Sequence, residues 1–447
     1  MKFITLMLLL CSYAMANSND LTHRPKSFSY SNGKAIFVDF TEANYQIGYD
    51  LMARSASVKA EIKFNAPEAG NVVFDVVNKP TSILLDGISV SSTEISTPQD
   101  ETKVRVIDTP TSVGKHTMVI EVPLTELVTY KSEGVRSAFW TSDLDERSYL
   151  EQYLPSNFEF DQVKMTFVVK IMGAKAKHMI YTNGVQEEID SNTFKITYPE
   201  YFTASSLFYH LVPKGSLDEL RFTLKSIDGR TLPAVVYTNK SLLTTNAKLD
   251  AVKKDLTEVF QELESDYGAF LHSQIIVYIA GAGGMEYCGA TMTDRSSLGH
   301  ELFHSYFARG MMPANGNSGW LDEALASWRD DDYPRSDSLS GGSGMSSHPY
   351  YTRITDMAAY SFGKRFMSYL DGKLKDKGGL KPFMRYVVDK KSLSPLFVEE
   401  FITELNKFYG MNLTNDFKTY TYGKSILKSK EESVHRKMSI KELRNFL

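Results

Sequence analysis

Between residues 27 and 200 apolar and polar positions alternate in short runs. Val58-Lys-Ala-Glu-Ile-Lys-Phe64, Lys103-Val-Arg-Val-Ile107 and Met165-Thr-Phe-Val-Val-Lys-Ile171 place apolar side chains on one face at period two. Asn32-Gly33, Asp86-Gly87 and Asn183-Gly184 are turn signals between such runs. Strands joined by tight turns predict an all-β unit, a sandwich or an open saddle-shaped sheet. The pattern changes near residue 205. Strands continue at Leu207–Val212 and Leu220–Leu224. Leu249, Val252, Leu256, Val259, Phe260 and Leu263 then repeat at helical spacing behind Asn246, a good N-cap residue. Gln274-Ile-Ile-Val-Tyr-Ile-Ala280 is a buried-strand pattern, and from Asp294 onward the chain is mostly helical in pattern. The expected class is α+β, with a β domain over 17–204 and a mixed β and helical domain over 205–447.

Composition narrows the field. The 447 residues are 42% apolar and 23% charged, which excludes a disordered or collagen-like chain. A net charge of −4 is no footprint for nucleic acid, which calls for a clustered basic excess. Lys2, the apolar run Phe3–Leu10 and Ala14-Met15-Ala16 have the form of a secretory signal over residues 1–16. That run is too short for a bilayer span of about 20 residues. The expectation is export, to a periplasm or the secreted space, with no transmembrane segment after signal removal. Cys11 leaves with the signal. Cys288 then stands alone, which excludes an internal disulfide and a Cys-rich zinc site. The Ser/Gly stretch 336–347 is expected to be a mobile surface loop. The basic tail 424–447 is expected to be a solvated helix face, with Ser439-Ile-Lys-Glu442 as a capping box. No sequence feature sets the oligomeric state.

The informative stretch is His300-Glu301-Leu302-Phe303-His304. Asp294 can cap a helix running to about Arg309, with Gly310 as its stop. Two His four residues apart share one helix face and can grip one metal ion. Glu301, beside the first, can reach the attacking water. Chance supplies such a pentad on the order of 0.01 times in a chain of this composition. A catalytic zinc site wants a third protein ligand and an open fourth position. Glu323, separated from His304 by 18 residues and set in Trp320-Leu-Asp-Glu323, opens a second helix with Leu321, Leu325 and Trp328 as its apolar stripe. Taken alone, Asp322 and Glu323 would be ordinary first-turn acids favouring the helix dipole.

These motifs together resemble the gluzincin metallopeptidases, specifically the M1 aminopeptidases, whose pattern is H-E-x-x-H, 18 residues, then E within W-L-x-E-x-x-A. Trp320, Leu321, Glu323 and Ala326 match it. Ser305-Tyr306-Phe307-Ala308-Arg309 is a softened version of the family's x-W-F-G-N. Gly283-Gly284-Met285-Glu286-Tyr287 resembles its G-x-M-E-N, and Tyr360-Ser-Phe-Gly363 its Y-x-x-G. The resemblance implies a thermolysin-like catalytic domain behind the β domain, in a short form without the large C-terminal helical domain.

It also implies roles. One zinc ion is held by His300, His304 and Glu323. Glu301 acts as general base, and Tyr360 stabilises the tetrahedral intermediate. Glu286 binds the substrate's α-amine, and the Gly283-Gly284 backbone lines the peptide. The substrate is a peptide or protein. The family's amine-binding Gln from the β domain has its nearest candidate region at 151–155. Two departures, the missing C-terminal domain and only 13 residues between Glu286 and His300, point to a more open cleft. A zinc endopeptidase therefore stands as an alternative. A non-catalytic peptide-binding protein on the same fold is the other, opposed by the presence of Glu301. His210, His272 and His348 lack ligand spacing, and Cys288 reads as a packing residue.

Overall fold

The computed structural model describes residues 24–422 except 99–101, 160, 240–247, 315, 349–350 and 352–354. The signal segment, Asn246 and the basic tail with its capping box lie outside the described residues. The chain forms the expected α+β architecture, strands first and helices later.

The N-terminal lobe is built on an eight-stranded sheet centred on the long antiparallel pair Asp39–Asp50 and Ser55–Ala66. Val58, Ala60, Ile62 and Phe64 are buried while Lys59, Glu61 and Lys63 are exposed, as period two requires. Lys164–Met172 runs parallel to Asp39–Asp50. A four-stranded sheet shares its core and includes Tyr209–Pro213, hydrogen-bonded to Gly134–Ala138 and His178–Thr182. The chain leaves the N-terminal sheets only after Pro213, a few residues beyond the expected division at 204/205.

A five-stranded sheet then forms in the order Leu217–Lys225, Thr231–Asn239, Ile275–Ile279, Ala290–Thr293, Gly284–Tyr287. Its central strand, Ile275–Ile279, is apolar throughout because both faces are covered. Ile275, Val277 and Ile279 face a helical core with α1 (Leu249–Tyr267). Ile276 and Tyr278 face the core of the N-terminal lobe. Rings of both lobes stack in series there: Tyr181 on Tyr237 at 3.7 Å, Tyr237 on Tyr278 at 4.9 Å, Tyr278 on Trp140 at 5.7 Å. Such pairs add about 0.5–1.5 kcal/mol each beyond the area they bury.

The remaining helices are α2 (Leu298–Phe303), α3 (Leu321–Asp330), α4 (Lys364–Lys373), α5 (Lys381–Lys391), α6 (Val398–Tyr409) and α7 (Thr414–Tyr420). Helix α2 is shorter than the expected span to Arg309. Asp294 accepts from Ser297 N at 2.9 Å and starts the turn before it. Beyond Phe303 the ladder tightens: Ser305 N donates to Leu302 O, and Tyr306 N to Phe303 O. His304 Nδ1 bonds the Phe307 carbonyl at 3.0 Å, diverting it from any further helical turn. The 336–347 stretch is anchored rather than loose. Met345 is fully buried, and Ser343 N and Ser346 N donate to Tyr420 O and Thr421 O. No helix among the described residues is long and apolar enough to cross a membrane.

Candidate metal centre and cleft

Helix α2 presents His300 and His304 on one face, and α3 returns beside it to bring Glu323 to both. His300 Nε2 lies 3.0 Å from Glu323 Oε2, and His304 Nε2 lies 3.5 Å from Glu323 Oε1. One ligand atom from each of the three residues falls within 4.8 Å of the others, with all three side chains buried. The far nitrogens are already engaged, His300 Nδ1 with Asp330 at 2.6 Å and His304 Nδ1 with the Phe307 carbonyl. A carboxylate or carbonyl on Nδ1 fixes the ring and directs Nε2 at the centre. His304 Nε2 is a buried nitrogen with no hydrogen bond.

Burial alone would lower both imidazole pKa values. The Asp330 and Glu323 carboxylates outweigh it at His300 and hold it well above the usual range. At His304, Glu323 and then Glu286 raise it to about 9. The pocket therefore favours positive charge, and its two imidazoles and one carboxylate are a donor set that fits zinc.

The rest of the cleft follows from strand geometry. In Gly284–Tyr287, Met285 and Tyr287 pack into the N-terminal core, so Gly284 and Glu286 face the other way, toward α2. Gly283, at φ +61°, turns the chain into this strand. A Cβ on Gly284 would overlap the Glu301 carboxylate, so glycine lets the strand lie against that group. Glu286 is 1% exposed, with a carboxylate oxygen within 4.8 Å of ligand atoms of His304 and Asp322. Tyr360 lies on a single π-helical turn, Ala359–Gly363, and its ring stacks parallel to that of His300 at 6.4 Å. Seven of the eight residues singled out in the sequence thus fall in one cluster, and Gly283 turns the chain into the strand that carries two of them.

The 151–155 region makes local contacts. Glu151 accepts from Tyr149 N at 3.0 Å, and Gln152 donates to the Arg147 carbonyl. The β-domain group that reaches the cleft is Asp143, 3% exposed and within 4.8 Å of Asp322 and Glu323. Thr355 holds it, donating from Oγ1 to Asp143 Oδ2 at 2.7 Å. Asp143 carried no recognisable spacing, and Asp322 and Arg309 stood inside the motifs with no role assigned to them. Only the fold makes them neighbours. Cys288 is buried among apolar groups, which pushes its thiol up to about 12, and it is no ligand. His210 and His272 are buried and pulled down to about 3 and about 4. His210 meets the Tyr237 hydroxyl and His272 the Ser305 carbonyl. His348 pairs with Asp356.

No family model matches the sequence, and no curated protein matches it. Solved structures do match, and they define the class: the chain has the fold of the M1 zinc metallopeptidases. Yeast LTA4 hydrolase superimposes with TM-score 0.63 at 13% identity, over 88% of this chain and 69% of that one. The M1 zinc metallopeptidase from Deinococcus radiodurans superimposes with TM-score 0.60 at 16% identity, over 89% of this chain and 96% of that one. The same Deinococcus protein, as a mutant bound to a Tyr-Ser-Ala substrate, gives TM-score 0.60 at 15% identity.

Proposed function

We propose that this protein is an exported zinc metallopeptidase that removes residues from the free N-termini of peptides. The observation that carries the reading is the convergence of His300, His304 and Glu323 within 4.8 Å of one another, with Glu301 and Tyr360 beside them. The shared fold with a metallopeptidase that binds Tyr-Ser-Ala supports a peptide substrate. The signal-like segment 1–16 supports export.

His300, His304 and Glu323 would hold the zinc ion. Bound there, zinc supplies Lewis-acid polarisation of the scissile carbonyl and lowers the pKa of the attacking water to about 7. Glu301 takes the proton of that water and delivers it to the leaving amine. The Tyr360 hydroxyl donates to the oxygen on which charge develops. Glu286 pairs with the substrate's α-ammonium and places the first peptide bond over the centre. The Gly283-Gly284 backbone lines the peptide.

Elemental analysis alongside turnover of a mixed peptide library tests this. Glu301→Gln should keep one zinc per chain and lose turnover, while Glu323→Ala should lose the metal. Full zinc in Glu323→Ala would sink the ligand assignment. Products cut only at internal bonds would turn the reading to an endopeptidase.

A further inference from the structure

Resting on Glu286 as the acceptor of the α-amine, we infer that Arg309 is the positioning residue that sets the register between that carboxylate and the metal centre. Its guanidinium is 3% exposed and grips one residue twice: Nη2 lies 3.0 Å from Glu286 Oε1, and Nε donates to the Glu286 backbone carbonyl at 3.4 Å. Side chain and strand are thereby fixed together. Nη1 is spent on the N-terminal lobe, on Glu159 at 3.1 Å and on Ser205 Oγ. The Arg309 backbone N–H donates to the carbonyl of His304 at 2.9 Å. One residue therefore ties the metal-binding helix, the amine-binding strand and the β domain to one another.

A planar fork of five donors makes these contacts in one fixed geometry, which the point charge of a lysine cannot reproduce. The charge matters as well. Glu286 has the Asp322 carboxylate within 4.8 Å, and Glu159 adds a third acid. Arg309 is the cation that keeps these buried anions in place. With Glu286 fixed relative to His304, a bound ammonium presents the first peptide bond to the zinc and no later one.

The test compares kcat/KM for one hexapeptide with a free and with an N-acetylated terminus, with cleavage positions read by mass spectrometry. The zinc-loaded full chain is used in its natural form and as Arg309→Met, Arg309→Lys and Glu159→Gln. The natural protein should prefer the free terminus by about 100-fold or more, the loss expected when one partner of a buried ion pair is missing. Arg309→Met should bring that ratio below about 10-fold. The change should come mainly through a raised KM for the free peptide, with internal cuts appearing and zinc content retained. Arg309→Lys should fall between, and Glu159→Gln should lower the ratio by a few-fold. If Arg309→Met fails to fold or bind zinc, the Lys and Glu159 variants decide. A natural ratio retained in the variants that fold overturns the role of Arg309 alone. No preference in the natural protein overturns Glu286 as amine acceptor, and this inference with it.

Discussion

Gly284 and Glu301 are in such close contact that a single methyl on the glycine would occupy the space of the Glu301 carboxylate. The strand and the helix touch at the carboxylate proposed to carry the proton. Gly284→Ala should therefore leave the metal ligands intact and displace the base. Turnover should fall on the order of 100-fold, the low end of what a positioned general base contributes. Zinc content should stay at one per chain. Steady-state kinetics with metal analysis checks both, and normal turnover would mean that Glu301 is not the base.

Tyr360 should affect kcat alone. A hydrogen bond made only to the developing oxyanion contributes nothing to ground-state binding. Tyr360→Phe should keep KM within a few-fold and lower kcat by about 100-fold or more. Loss of ring stacking on His300 is excluded as a cause, because phenylalanine keeps the ring. A variant within a few-fold of the natural kcat would assign the oxyanion contact to another group.

Asp330 holds His300 through Nδ1 at 2.6 Å. Asp330→Asn should weaken zinc affinity by about 10–100-fold, the usual cost of losing such a partner. Competition with a chelator measures it. At saturating zinc kcat should recover, which separates this residue from Glu301.

In the N-terminal lobe, Asp39 and Asp161 form a buried carboxylate pair, 1% and 6% exposed. Asp161 Oδ2 accepts from Phe40 N at 2.8 Å and from Asn157 Nδ2. Burial pushes Asp39 up to about 6, even with its hydrogen bond to Asp161. Burial and then the Asp39 charge push Asp161 well above the usual range. A folded-state pKa above the unfolded value of about 3.9 means stability that is complete below pH 4 and lost as pH rises through 6. Between pH 5 and 8 the loss should be on the order of 2 kcal/mol. Asp39→Asn should reduce it. Denaturation midpoints of the two proteins across that range give the difference, and parallel curves would refute the raised Asp39 pKa.

How much of this was legible beforehand depended on chain distance. The His300–His304 pair is local, four residues on one helix, and its meaning survives even though α2 stops six residues early. Strand Ile275–Ile279 was readable because two covered faces leave no polar position. The partners of Glu286 were not readable. Arg309 meets Glu159 across 150 residues, and Asp143 reaches Thr355 across 212. No period or spacing encodes such meetings, because register and loop path determine them. The end of α2 was misjudged for a related reason. A side-chain nitrogen takes the Phe307 carbonyl, a competition that helix patterning does not contain.

The ring stack from Tyr181 through Tyr237 and Tyr278 to Trp140 has a further consequence. It welds the two lobes along one seam, and Tyr287 adds to the weld where its hydroxyl accepts from Thr141 N at 3.1 Å, two residues from Asp143. Neither half can be released without stripping the other's interior. Closing that seam is also what sets Asp143, from the N-terminal lobe, beside Asp322 and Glu323 of α3.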